Sequence, residues 1–361
     1  MLDTPITPEN IAQILEQKTR ESLLLKVKTI SQIEFIEPDY LIADLLIRSS
    51  VGFISASPGS TKTWLSWDMA LLISTGTKCC QVFQAKKGKV LAFNAEDSPG
   101  AITKARLSAL ASYKGIKIDE VQDLQIIDES IIMIDNPSTQ ERIRRTIDHH
   151  KPDFLLLDPF RQIHAQNEDK ASDMAPLLGF LRELQRDYGT TVLLVCHERK
   201  GSVNDESGRR EDRTRGSNAL EGWRDTAIYL DRKKDKKTKV QIYHRGHMAP
   251  EPFFFNLDVE NKSGQMVSAV LSFTSVKSLE DEEFINLCEI VFNAVKFNGY
   301  ENATSIAKDF KKRKAEVLRA TKTLKEKGMF DKNCLKLAVP VCFEGGFDRN
   351  AVWEPSGTVP F

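Results

Sequence analysis

Between about Tyr40 and Leu271 the chain repeats one pattern that narrows its folding options more than any other feature. Short, continuous apolar runs alternate with helix-length amphipathic stretches. The runs are Val51–Ala56, Lys89–Asn94, Leu124–Ile127, Phe154–Asp158, Thr191–Cys196 and Thr226–Leu230; between them lie Trp64–Ser74, Gly100–Tyr113, Gln140–His149 and Ser172–Tyr188. A strand that is apolar on both faces has to be covered on both sides, and parallel neighbours need a long crossover to return to the same edge. The pattern predicts an α/β fold with a mostly parallel sheet layered between helices. Lys239–His244 and Phe253–Leu257 lack intervening helices and read as an antiparallel hairpin extension.

Ligands of open α/β sheets gather at the carboxyl ends of the strands, so the polar residues there deserve the closest reading. The first such end lies in Val51–Met69, VGFISASPGSTKTWLSWDM, where a strand breaks at Pro58-Gly59 and a helix follows Lys62-Thr63. This is the layout of a phosphate-binding loop. Backbone N–H groups and a helix N-terminus cradle phosphates, the lysine reaches the β/γ-phosphates and the hydroxyl holds Mg²⁺. Pro58, Gly59, Ser60, Thr61, Lys62 and Thr63 are the candidate nucleotide-binding residues. The usual G-x-x-x-x-G-K-[ST] spacing would place glycines where this chain has Ala56 and Thr61. A β-branched residue resists positive φ, so the loop is expected either to hold Thr61 at negative φ or to bind nucleotide less tightly. An ordinary turn before a helix is the competing reading.

Three further strand ends carry polar residues. Glu96-Asp97 follows Lys89–Asn94; the pair can cap the next helix, or Glu96 can deprotonate the water that attacks a γ-phosphate. Asp158 ends Phe154–Asp158 and can be a turn residue before Pro159 or a Mg²⁺ carboxylate. His197 follows Thr191–Cys196 and is either structural or a sensor of the γ-phosphate. The loop after it, Glu198–Thr214, carries Lys200, Arg209, Arg210 and Arg213. It is a solvated surface loop or a contact for a nucleic-acid backbone.

Length and composition bound the rest. A chain of 361 residues implies two domains or more, and 41% hydrophobic with 28% charged residues describes a soluble protein. A formal net charge of zero means that any nucleic-acid contact must use local patches. The six cysteines show no C-x-x-C spacing, which argues against a metal site or a disulfide framework and for reduced thiols in a cytoplasm. No apolar run approaches the roughly 20 residues of a membrane span, and a cytoplasmic location with no membrane partner is expected.

The ends of the chain differ from its middle. Residues 1–40 read as an N-terminal helical arm starting near Pro8 with Thr7 as cap, 41–275 as the ATPase domain, 276–345 as a winged helix-turn-helix domain, and 346–361 as a poorly ordered tail. In the third domain, helical patterns at Leu279–Phe297, Asn302–Phe310 and Lys312–Lys327 precede a run, MFDKNCLKLAVPVCF, that reads as a wing. The last helix gathers Lys311, Lys312, Arg313, Lys314, Arg319, Lys322, Lys325 and Lys327, with Val317, Leu318, Thr321 and Leu324 as its apolar side. Such a helix can neutralise DNA phosphates, with Lys312 and Arg313 among the contacts, or can serve protein contacts only.

The segment FLLLDPFRQIHAQNEDKASDMAPLLGFLRELQRDYGTTVLLVCHERKG, followed by TRGSNALEGWRDTAIYL, resembles the RepA-like hexameric helicases of plasmids and phages, a RecA-fold ATPase family. The resemblance covers roughly residues 40–270. It implies that Lys62 and Thr63 bind phosphate and Mg²⁺, that Glu96 is the catalytic base, Asp158 the metal carboxylate and His197 the sensor. It also implies ATP bound between subunits of a homo-oligomeric, hexameric ring that works on single-stranded DNA, alone or with other replication proteins. An arginine from the neighbour would complete each site, with Arg215, Arg224 and Arg245 as candidates. Two other readings stay open: a RecA-like ATPase that acts as loader, regulator or defence component, and a DNA-binding regulator with an inactive phosphate loop.

Overall fold

The computed structural model describes residues 27–34, 37–97, 100–197, 217–233, 236–300, 302–326 and 330. The chain divides into two compact units, Met1–Asp39 and Tyr40–Phe361. The described part of the first contains a 3-10 turn, Ile30–Gln32, with Thr29 N–H donating to Gln32 Oε1 at 2.8 Å. The arm helix expected from Pro8 lies outside the described residues.

The described residues of the second unit form thirteen strands: β1 (Tyr40–Ile42), β2 (Leu46–Ile47), β3 (Val51–Ala56), β4 (Lys78–Cys79), β5 (Phe83–Gln84), β6 (Val90–Asn94), β7 (Leu124–Ile126), β8 (Phe154–Asp158), β9 (Thr191–His197), β10 (Thr226–Arg232), β11 (Thr238–His244), β12 (Phe253–Lys262) and β13 (Gln265–Ser275). Its helices are α1 (Lys62–Thr75), α2 (Ala101–Tyr113), α3 (Pro137–His150), α4 (Ala171–Tyr188), α5 (Ser217–Trp223), α6 (Val276–Asn298), α7 (Ala303–Asp309) and α8 (Lys314–Glu326). Nine strands form one sheet in the order β13-β12-β11-β10-β3-β9-β8-β6-β7. From β10 to β7 every pairing is parallel, and β11, β12 and β13 extend the sheet antiparallel. β9 lies between β3 and β8, so the strand ending in Asp158 stands one place away from the strand that feeds the loop.

The strands expected between residues 51 and 257 are all present, most within one or two residues, and those at the centre of the sheet are buried on both faces. All residues of β3, β6 and β8 are buried, which no alternating surface strand could tolerate. β3 and β10 approach so closely at Gly52 that a Cβ there would lie 2.6 Å from the Thr226 carbonyl oxygen. One core layer, with Trp67, Leu71, Leu107 and Leu110, joins α1 and α2 to one face of the sheet; the other, with Phe160, Leu177, Leu181 and Leu184, joins α4 to the opposite face. α1 sits inside the first layer and is buried along most of its length, Ser66 and Asp68 included, rather than on one amphipathic face.

Two features differ from the sequence expectation. β12 and β13 form a hairpin of 10 and 11 residues, longer than the Phe253–Leu257 run. β12 pairs with β11 over Phe253–Phe255 alone, and beyond that point β13 lies against α2. In the C-terminal helices, α6, α7 and α8 share a core of Val291, Phe292, Ile306, Val317, Ala320 and Leu324. Leu318, expected on the apolar side, is 49% exposed, and Ala320 occupies the inward position. The helical phase therefore places 317, 320, 321 and 324 inward, and the larger side chain at 318 falls on the rim. The wing expected after α8 lies outside the described residues apart from Phe330.

Candidate active site

The parallel strands end around one cleft of about 310 Å³, lined on one side by Pro58–Trp64 and on the other by Glu96, Asp158 and His197. The loop between β3 and α1 is built with positive φ at two positions, Gly59 at 77° and Thr61 at 67°. Of the two alternatives the sequence leaves open, negative φ at 61 or weaker nucleotide binding, the structure excludes the first. The turn into the helix requires the left-handed region there, and Thr61 takes it without a glycine, at a conformational cost of roughly 1–3 kcal/mol. Its hydroxyl donates to the Ser60 carbonyl and lies 3.3 Å from the Thr238 hydroxyl. The Ser60 hydroxyl and N–H both close back on the Ser57 carbonyl. Arg232, from the end of β10, donates to the Gly59 carbonyl at 2.8 Å and ties the loop to the sheet.

Thr61 stands at the cap position of α1 without capping it. The N–H groups of the first turn therefore keep their bonding capacity for an anion, reinforced by the helix dipole. Lys62 is buried, with Nζ 2.9 Å from the Ala56 carbonyl oxygen, 3.2 Å from that of Ser57 and 3.4 Å from His197 Nδ1. The other ring nitrogen of His197 lies 4.0 Å from Glu96 Oε1. A lysine, an imidazole and a carboxylate thus stand in line across the cleft from loop to β6.

The two acids of Glu96-Asp97 separate. Asp97 accepts from the N–H groups of Ile102 and Thr103 and so caps α2, which holds its carboxyl below the usual range despite some burial. Glu96 faces the cleft. Its N–H donates to Asn94 Oδ1 at 3.0 Å, and its carboxylate accepts from Gln162 Nε2 at 3.3 Å. Asn94 also donates to the Thr103 hydroxyl at 2.9 Å, locking the end of β6 to α2.

Asp158 is 3% exposed and accepts from the Ser66 hydroxyl at 3.4 Å, with the Thr63 hydroxyl as a second donor. Burial pushes its carboxyl up to about 6, the Glu96 charge adds to the rise, and Lys62 opposes it. A carboxylate confined this way beside a second acid and a hydroxyl is a donor set that suits a hard divalent cation. Among the described residues no cluster of three or more His, Cys, Asp or Glu side chains could hold a metal on its own. Mg²⁺ usually takes one or two protein oxygens and completes its shell with waters and phosphates, a number that Asp158 and Thr63 could supply.

The remaining sequence candidates lie elsewhere. Arg224 and Arg245 flank Asp225, whose N–H donates to the Val51 carbonyl, so they sit at the amino end of β3, opposite the cleft. Arg224 donates to Glu221 at 2.7 Å, and exposed Arg245 donates to the Gly222 carbonyl. Lys312 and Arg313 are exposed in the turn between α7 and α8, with Arg313 3.9 Å from Glu316. Lys200, Arg209, Arg210, Arg213 and Arg215 lie outside the described residues.

Trp64, Arg106, Gln162, Arg232 and Leu257 border or brace the cleft but were not singled out from the sequence. Asn94 could have been found, as the polar last residue of a buried run. The others come from the first turn of α1, from α2, from the 3-10 turn after β8, from the end of β10 and from β12, where no local pattern points at a site.

No helix among the described residues is long and apolar enough to cross a membrane. Over residues 18–203, just over half its length, the sequence matches the family described as AAA domain (AAA_25), and the chain belongs to that family of P-loop ATPase domains.

Proposed function

We propose that the protein is an ATP-hydrolysing motor of a plasmid, phage or other mobile element, working as a hexameric ring on single-stranded DNA as a helicase. The observation that carries the hydrolytic part is the alignment of Lys62, His197 and Glu96 across a cleft whose floor holds Asp158 beside Thr63. The N–H groups of the loop and of the first turn of α1 bind the phosphates, and Lys62 moves from the Ala56 carbonyl to the terminal phosphate. Mg²⁺, held by Thr63 and Asp158, would neutralise charge on the phosphate oxygens. Glu96, oriented by Gln162 and by the Asn94 bond to its backbone, accepts the proton of the attacking water. His197 touches both Lys62 and Glu96, so loss of the terminal phosphate changes its surroundings and is relayed into the chain that follows it.

The ring rests on a different argument. Arg224 and Arg245 lie at the end of the sheet opposite their own cleft, so either could assist only a neighbour's site. DNA contact is assigned to the segment after His197 and to the C-terminal helices, read as a winged helix-turn-helix. There α7 and α8 are joined by a short turn with Lys311 at φ 52°, and Lys312, Arg313 and Lys314 are exposed. A loader or regulator with the same ATPase site is the second reading, favoured by the neutral net charge, which gives no general attraction to DNA.

The test is phosphate release by wild type and Glu96→Gln, followed by strand displacement. E96Q should still bind ATP and hydrolyse it about 10²–10⁴-fold more slowly. Hydrolysis unaffected by the substitution would remove Glu96 from its role. Hydrolysis without displacement on any forked substrate would leave the loader reading in place of the helicase.

A further inference from the structure

The phosphate loop and the strand-end residues account for one side of the cleft; its other wall is chemically different. Trp64, on the first turn of α1, and Leu257, on β12, are partly buried against the same core layer and both border the cleft. Leu257 reaches it because the β12–β13 hairpin runs past the end of β11 and lies against α2. Arg106, from α2, stands 5.8 Å from the centroid of the Trp64 ring, at the outer limit of about 6 Å for a cation–π contact. Its guanidinium therefore accompanies the indole without covering it closely. Among the described residues lining the cleft there is no Asn or Gln, and both acids, Glu96 and Asp158, stand at the strand ends.

We propose that Trp64 and Leu257, with Arg106 beside them, form the subsite for the nucleotide's base, and that it selects purines by stacking area. The proposal rests on the nucleotide reading of the phosphate loop. Once phosphates occupy the loop, the rest of the nucleotide must leave along one of the cleft walls, and this wall carries an aromatic face and an aliphatic side chain. An indole beside a leucine gains from covering by a flat π-system, while Arg106 offers a planar cation to the same group. Among the described residues that wall carries no side-chain amide or acid, and discrimination is assigned to the contact area, larger for a purine than for a pyrimidine.

The experiment compares two ligands on the full chain in the presence of Mg²⁺, by calorimetric titration: ATP, which carries a base, and inorganic tripolyphosphate, which does not. Trp64→Ala should weaken ATP by roughly 5- to 150-fold, the usual range for losing one base–aromatic stack, and leave tripolyphosphate affinity unchanged. Trp64→Phe should recover most of the ATP affinity. Leu257→Ala, on the hairpin, should show the same split more weakly and serves where W64A does not fold. Wild type should bind ATP and GTP more tightly than CTP and UTP. Equal weakening of both ligands in W64A, or of neither, overturns the subsite, as do equal affinities for all four nucleotides. Wild type that binds neither ATP nor tripolyphosphate overturns the nucleotide reading beneath it, a result distinct from the loss of the split.

Discussion

Thr61 offers a sharp test of the loop, because its left-handed backbone makes two small substitutions rank in an unusual order. At a position with ordinary negative φ, alanine is favoured over glycine by roughly 0.4–1 kcal/mol, since glycine loses more freedom on folding. At φ 67° an L-residue pays roughly 1–2 kcal/mol that glycine does not. The difference leaves Thr61→Gly more stable than Thr61→Ala by about 0.5–1 kcal/mol. Both variants lose the hydroxyl that meets the Ser60 carbonyl and Thr238, a loss of about 0.5–1.5 kcal/mol. T61G should therefore lie close to wild type and T61A below both. Urea unfolding of the nucleotide-free chain reads the order directly from the midpoints. T61A more stable than T61G would mean that residue 61 holds negative φ in solution, and the account of how the loop turns without its second glycine would fail.

Two further predictions concern acids away from the cleft, one buried and one partly buried. Asp68 is fully buried on α1, 3.4 Å from Lys114, and burial pushes its carboxyl up to about 6. Since this lies above the unfolded value near 4, the folded state holds the extra proton between the two, and stability falls as pH rises through that window. At about 1.4 kcal/mol per pH unit the decline from Asp68 amounts to about 3 kcal/mol, and Asp68→Asn should reduce the fall of the urea midpoint between pH 4 and 6, leaving the part that Asp158 contributes over the same window; an unchanged slope contradicts it. Asp225 accepts the Val51 N–H at 3.0 Å and Arg182 at 2.5 Å, both groups being about a quarter exposed. Asp225→Ala leaves the Val51 N–H without its acceptor and the Arg182 guanidinium with only the Trp223 carbonyl, and should cost about 2 kcal/mol, seen as a lower Tm; an unshifted Tm would mean that water replaces the carboxylate.

Much of the sheet was legible because its signal is local. Phe154–Asp158 is apolar up to its final Asp158 and Val51–Ala56 at every position but Ser55, so burial on both faces follows from the residues alone. The strand ends at Glu96, Asp158 and His197 were legible for the same reason, as polar residues closing apolar runs, and the structure brings all three to one cleft. What was not legible depends on packing between distant segments. Gln265–Ser275 mixes polar and apolar residues because it is an edge strand with partial exposure, so it carries no clear strand pattern. Arg106 and Leu257 become neighbours of Trp64 because the hairpin lies on α2, a contact that no spacing in the sequence encodes. The resistance of β-branched residues to positive φ points away from the conformation of Thr61, which follows instead from the geometry of the strand-to-helix turn. Leu318 and Ala320 show how a hydrophobicity pattern misplaces a helix face when the larger apolar side chain sits on the rim.

The central claim is that this cleft hydrolyses a nucleoside triphosphate, and it is tested most directly by Mg²⁺-dependent phosphate release from ATP by wild type and Lys62→Ala in parallel. Lys62 Nζ stands within 3.4 Å of two loop carbonyl oxygens and of His197, and its removal takes away the cation that meets the terminal phosphate. The account predicts steady release by wild type that requires Mg²⁺ and is lost in K62A. Release that persists in K62A, or a folded wild type that neither binds nor hydrolyses ATP, would contradict it.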